Sequence, residues 1–206
     1  VATQRRLTDQ GRERKQQLLD AAADLFAARG YGATRIVDIC QRAGVAKGLF
    51  YWYFDSKEAL LTELVRSMRQ KLRRTQAAAM EGIDGPIDRL RRGTEASVLF
   101  MAEHRSYFAL LEMERTDARM APVLREGGEV YSRDVARLIR EAQQIGSIPD
   151  DVDAELASLG VLATVSSFGQ YVRSGRLEMP VADLARFVGD WVVRALGALT
   201  EVPTPS

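Results

Sequence analysis

The sequence predicts an all-helical protein in two parts: a small basic N-terminal head of three helices and a larger acidic helical body, joined by one long helix. Three observations carry this. Apolar residues recur at spacings of three and four along most of the 206 residues, and no stretch alternates as a half-buried strand does. Between Thr34 and Leu60 a helix, a glycine turn and a second helix follow in quick succession. Charge is uneven: residues 1–75 hold fifteen Lys and Arg against eight Asp and Glu, net +7, whereas residues 76–206 hold fourteen against twenty, net −6. A basic head on an acidic body is the electrostatic footprint of a module that meets a polyanion at one end only.

The predicted divisions are 9–55 for the head, 56–81 for the connecting helix and 82–200 for the body. Residues 1–8, with Arg5 and Arg6, lack apolar period and read as an arm, either a solvated tail or a basic arm for the minor groove. Asp9 to Arg29 reads as the first helix, with Leu18, Ala22, Leu25 and Phe26 on one face and Gly30 ending it. Thr34 suits the capping position of the second, because its hydroxyl accepts from unpaired N–H groups of a first turn. Ile36, Ile39, Cys40 and Ala43 make that helix's apolar stripe, and Gly44 suits the left-handed residue that closes it. Val45 plugs the turn, Lys47 to Tyr53 form the third helix, and Ser56 caps the fourth.

Helix, tight turn, helix is the plan whose second helix enters the DNA major groove. Here that helix runs through five aromatics, Phe50 to Phe54. No short soluble helix buries aromatics all round, so the sequence predicts Phe50 and Phe54 inward and Tyr51, Trp52 and Tyr53 offered to a partner. Phenolic hydroxyls can donate to phosphate oxygens. Gly48 inside a helix costs about 1 kcal/mol relative to alanine, which close approach of the backbone to a ligand would offset. Lys57 stands in a first turn, where the helix dipole disfavours a cation and a phosphate would reverse the sign.

Thr34, Ile39, the run Ala43-Gly44-Val45-Ala46-Lys47-Gly48, then Tyr51, Tyr53-Phe54, Ser56-Lys57-Glu58 and Leu60 together resemble the DNA-binding signature of the tetracycline-repressor (TetR) family. The resemblance covers about the first sixty residues; the remainder is similar in length and helical patterning. It implies a dimeric, ligand-responsive transcriptional regulator, usually a repressor. Carried over residue by residue, it implies phosphate contacts for Thr34, Tyr51, Tyr53 and Lys57, and places Arg35, Lys47, Gly48, Leu49 and Trp52 nearest the bases. Ala46 stands where the family usually has a capping serine, a loss of about 1 kcal/mol. Phe50 replaces the more usual leucine.

From Ser56 a helix runs to about Glu81, with Leu60, Leu61, Leu64, Val65, Met68 and Leu72 facing in. Gly82 to Pro86 breaks the pattern. Ile87 to Glu103 is helical, His104-Arg-Ser is a corner, and Tyr107 to Arg115 is a short helix apolar nearly all round. Another helix begins near Pro122 and ends around Gln144. An acidic start at Pro149 to Asp153 opens a helix rich in small residues, to about Ser174. Pro180 begins the last, with Leu184, Val188, Trp191, Val192, Ala195, Leu196 and Leu199 on nearly one stripe. By the same resemblance, residues about 152–174 and 181–199 form a four-helix homodimer interface, though they would also serve to close the monomer core.

One histidine and one cysteine leave no His pair for a metal, and there is no phosphate loop or dinucleotide fingerprint. The sequence therefore predicts no enzyme, no cofactor and no metal. No apolar run reaches membrane-spanning length and no leader is evident, so the expectation is a cytoplasmic protein without a membrane partner. Cys40 on an apolar stripe reads as buried filler. A sensor cavity would draw on Met101, His104, Tyr107, Phe108, Leu111, Tyr131, Val165, Phe168 and Tyr171, residues that also suit an ordinary core. Such a lining favours a small hydrophobic or aromatic effector. The expected function is a homodimeric repressor on a double-stranded operator, released by that effector. A ligand-independent regulator and a helical hydrophobe carrier are the alternatives.

Overall fold

The computed structural model describes residues 8–108, 121–176 and 178–197, with the backbone alone for 121–127. The long elements are α1 (Asp9–Arg29), α2 (Ile36–Ala43), α3 (Lys47–Tyr53), α4 (Lys57–Met80), α5 (Pro86–Glu103), α6 (Ala121–Gln144), α7 (Ala154–Arg173) and α8 (Val181–Ala195). Residues 105–108 are also helical. No described helix is long and apolar enough to cross a membrane. Leu111, and the expected helix beyond Phe108, lie outside the described residues.

The helix ends follow local chemistry. The Thr8 hydroxyl accepts from the Gly11 N–H at 3.2 Å and opens α1. Gly44 closes α2 at φ 66°, the left-handed geometry that glycine adopts without Cβ strain. Ala46 precedes α3 with no side-chain cap, as its identity requires. The Ser56 hydroxyl accepts from Ala59 N–H at 3.1 Å. Asp153 accepts from the N–H groups of Glu155 and Leu156, at 2.9 and 3.1 Å, where its charge also suits the dipole.

Thr34 is not the cap of α2. That place belongs to Arg35, and Thr34 is 1% exposed. Its hydroxyl donates to the carbonyls of Gly30 at 2.8 Å and Leu25 at 3.3 Å, tying the α1–α2 loop to the end of α1. A buried hydroxyl needs a partner, and those carbonyls supply it.

Two compact units divide the chain, residues 1–68 with 106–123 and residues 69–105 with 124–206, so the division falls inside α4. The first unit is built on Leu18, Ala22, Phe26, Ile39, Phe50 and Leu60, each 0% exposed. In the second, α5 and α8 pack most closely. Gly189 permits this: a Cβ there would stand 2.9 Å from Glu95 Cγ and 3.1 Å from the Arg91 carbonyl oxygen. Gly169 of α7 similarly receives the thioether end of Met101. On α8 the buried stripe is Leu184, Val188, Val192 and Leu196, but Trp191 is 46% exposed and stands off it. Leu199 lies outside the described residues.

Candidate functional site

The third helix divides as its sequence predicts at Phe50, Tyr51, Trp52 and Phe54, but not at Tyr53, which the sequence places outward. Phe50 and Phe54 are 0% and 4% exposed, their rings 5.7 Å apart, while Tyr51 and Trp52 are each 49% exposed. Tyr53 is half-buried, its ring edge-on to Trp52 at 4.6 Å. Leu49 is likewise half-buried, and Lys47 and Gly48 are exposed. Four residues apart on one helix face, Lys47 sets its ammonium 6.0 Å from the Tyr51 ring. A side chain at Gly48 would meet nothing within 4 Å, so no internal packing explains the glycine.

Three other residues expected at this surface have internal partners. Thr34 is turned into the loop, as above, because its hydroxyl is satisfied there. The Lys57 ammonium donates to the carbonyls of Tyr31 at 2.7 Å and Thr34 at 2.8 Å and lies 4.2 Å from the Tyr31 ring. Two of its three donors are thus occupied away from any phosphate. Arg35 is exposed, yet its guanidinium forks onto Asp38, Nε to Oδ2 at 3.1 Å and Nη2 to Oδ1 at 2.9 Å. That hydrogen bonding holds the Asp38 carboxyl below the ordinary carboxylate range and raises the guanidinium in turn. Cys40 is 3% exposed and burial pushes its thiol up, against thiolate chemistry.

Among the described residues, those expected to line an effector cavity in the body are found in several places. Val165 is 3% exposed in the core, Met101 lies against Gly169, and the His104 ring meets that of Phe100 at a tilt, 4.2 Å between centroids. Phe168 and Tyr171 share a surface recess with Met179 and Phe187. Tyr131 lines a different cleft, about 770 Å³, between the end of α4, α5 and α6, with Met80, Leu90 and Val135 among its walls. Tyr107 and Phe108 belong to the first unit, ring to ring at 5.1 Å. Helical spacing placed these residues inside or at a boundary without fixing which boundary.

A sequence model of bacterial regulatory proteins of the tetR family matches residues 18–64, and one described as the tetracyclin repressor-like C-terminal domain matches residues 84–196, more than half of the chain. The chain belongs to the TetR family. This TetR-family protein is a DNA-binding transcriptional regulator, in a family of regulators rather than enzymes. It is 26% identical to the HTH-type transcriptional regulator TtgR of Pseudomonas putida over 216 residues, 97% of either chain. It is 46% identical to the HTH-type transcriptional repressor KstR2 of Rhodococcus jostii over 59 residues, 29% of either chain. The fold is similar to that of the transcriptional regulator FadR from Bacillus subtilis, solved in complex with stearoyl-CoA, with a TM-score of 0.76 at 23% identity over 86% of this chain and 97% of that one.

Two features of the regulator escaped the sequence. Asp38 is the latch on Arg35, and the Asp three residues on from Arg35 is a signal that could have found it. In the cleft, Gln76 donates to the Ser97 hydroxyl at 2.8 Å, and Ser97 donates to the Gly93 carbonyl at 2.7 Å. Ser97 also bonds the Tyr131 phenol, which burial pushes up to about 12. No pattern in the sequence joins Gln76 to Tyr131.

Proposed function

We propose that this regulator is a homodimeric repressor that holds its operator through α3 and is released by a small hydrophobic or aromatic effector. The observation that carries the reading is the division of α3, with Phe50 and Phe54 anchoring the helix and Lys47, Gly48, Tyr51 and Trp52 facing out. Lys47, Gly48, Leu49 and Trp52 meet base edges, and Tyr51 and Tyr53 donate to phosphates. Arg35 joins them with the guanidinium donors that Asp38 leaves unused.

Self-association is supported by the apolar surface of the last two helices. Leu156 and Leu159 on α7 are 67% and 53% exposed, and Phe187 and Trp191 on α8 are 53% and 46% exposed. Large apolar side chains left exposed on two contacting helices mark an interaction face. A two-fold pair then offers two copies of α3 to half-sites about one helical turn apart, or a multiple of that.

Effector control is supported by the cleft that contains Tyr131. Its walls include Arg73, Ala77 and Met80 of α4, the same helix whose Leu60, Leu64 and Val65 lie in the core of the first unit. An effector bound there therefore touches α4, the helix that also supplies core residues of the first unit. That FadR was solved with an acyl-CoA supports a ligand with an extended apolar part.

Selection of bound duplexes from random oligonucleotides, followed by titration at fixed salt, tests the proposal. A paired half-site that binds more tightly than a single one, and that weakens on adding an apolar compound, is the expected result. No enriched duplex at low salt would remove the reading; enrichment insensitive to every compound would favour the ligand-independent regulator.

A further inference from the structure

The cleft that contains Tyr131 has a floor and a rim of different chemistry. Leu90 of α5 and Val135 and Leu138 of α6 line it and are buried, with the half-buried Met80 of α4 beside them. The neutral polar groups of the lining are already engaged. The Thr94 hydroxyl donates to the Leu90 carbonyl at 2.8 Å, and Gln76 and Tyr131 both bond to Ser97. The Tyr131 phenol, pushed up to about 12 by burial, stays neutral and repels no anion. A molecule seated on this floor therefore meets an apolar surface.

The rim is cationic. Arg73, Arg74, Arg89 and Arg137 line the same cleft, against the carboxylates of Glu81 and Asp134. This reverses the sign of its surroundings, because residues 76–206 carry a net −6. Asp134 takes Arg73 at 3.2 Å. Glu141 is shared by Arg137 and by Arg89, which reaches it only at 3.4 Å. A guanidinium has five N–H donors, so one long contact leaves most of those on Arg89 open to a second acceptor. Arg74 is exposed and has no ion pair among the described residues.

We infer that this cleft takes an amphipathic anion, with its apolar chain on Leu90, Val135 and Leu138 and its carboxylate or phosphate on Arg74 and Arg89. The inference rests on the cleft being the effector site, and it narrows the effector from any apolar compound to an apolar acid. A neutral apolar ligand gains from the floor alone. An acid of the same length gains the floor and, in addition, charge-assisted hydrogen bonds from planar donors whose geometry matches carboxylate and phosphate oxygens.

The full-length protein is titrated by calorimetry at neutral pH with decanoate, decyl phosphate and decanol, which share one chain and differ in the head. At least one anion binds about tenfold tighter than decanol, the weight of one hydrogen bond to a charged group. Its advantage shrinks with added salt, whereas decanol binding does not respond. The tighter of the two anions names the head group. Arg74→Gln and Arg89→Gln reduce the preference for the anion and leave decanol binding unchanged. Arg66→Gln, an exposed cation of α4 outside the cleft, leaves the preference whole. Equal binding of all three compounds, binding of none, or a preference untouched by both Arg74→Gln and Arg89→Gln overturns the inference. Release from the operator is measured separately. An anion that binds as described without weakening the operator complex upholds the ligand class and removes effector control; decanol that binds as tightly as the anions and releases DNA does the reverse.

Discussion

The Lys57 ammonium lies 2.8 Å from the carbonyl oxygen of Thr34 and 2.7 Å from that of Tyr31, and so stitches the start of α4 to the loop between α1 and α2. Thr34, on the same loop, ties it to the end of α1 through its own hydroxyl. The loop sets the angle at which α2 leaves α1, and α2 with its glycine turn sets the position of α3. Lys57 is thus a clamp on the loop that leads into α2.

Lys57→Met keeps most of the apolar stem and removes both bonds. Hydrogen bonds to charged groups contribute about 1.5–3 kcal/mol each, less when partly solvated, so a loss of roughly 2 kcal/mol in denaturant unfolding is expected. The slope of log affinity against log salt for duplex DNA should stay unchanged. A slope smaller by about one would return Lys57 to a phosphate.

Lys47→Ala should alter the profile of selected sequences, because Lys47 is exposed at the start of α3. Tyr51→Phe should instead weaken all duplexes alike, through loss of one phosphate donor. Profiles measured side by side separate the two; an unaltered profile for Lys47→Ala removes it from the base-reading set.

The Arg35–Asp38 fork gives the regulator an acid-sensitive component. Because the folded carboxyl titrates below its unfolded value, its contribution is present above the ordinary carboxylate range and fades as pH falls through the depressed folded value. Asp38→Asn should flatten the decline of the urea midpoint between neutral and strongly acidic pH. The same substitution frees the Arg35 guanidinium and should tighten non-specific duplex binding at low salt. Parallel acid profiles for the two proteins would remove Asp38 as a contributor.

Gly189→Ala and Gly169→Ala should differ although both glycines lie in buried helix faces. At Gly189 the new methyl meets the Arg91 backbone carbonyl at 3.1 Å, which cannot move aside. Overpacking of about 1–3 kcal/mol then outweighs alanine's helix preference of about 1 kcal/mol. At Gly169 the obstacle is the flexible end of Met101, which can turn away. Thermal melts should show a fall for Gly189→Ala and little change for Gly169→Ala; equal falls would mean that Met101 is held as firmly as backbone.

Trp191→Glu should convert a dimer to monomer in sedimentation while preserving helicity, because the ring is 46% exposed and a charge there is paid for only when the face is covered. Operator affinity should fall with it, since linked half-sites lose their tether. A dimer that persists would place the interface elsewhere.

Residues close in sequence determined much of this protein unaided. The 3.6-residue period fixed which side of α3 holds Phe50 and Phe54, since the two are four apart and share a face. Hydroxyl and carboxylate caps at Ser56 and Asp153, and left-handed closure at Gly44, act within a single turn. The tertiary structure alone decided the partners of Thr34 and Lys57, the closeness permitted at Gly189, the outward turn of Trp191 and the separation of Tyr131 from Phe168. The physical reason is the kind of partner involved. Lys57 binds carbonyl oxygens 26 and 23 residues away, and every residue carries a carbonyl, so nothing in the side-chain order marks those two as acceptors. Periodicity sets the phase of a residue about its helix axis, whereas which neighbour fills that direction depends on how remote helices approach.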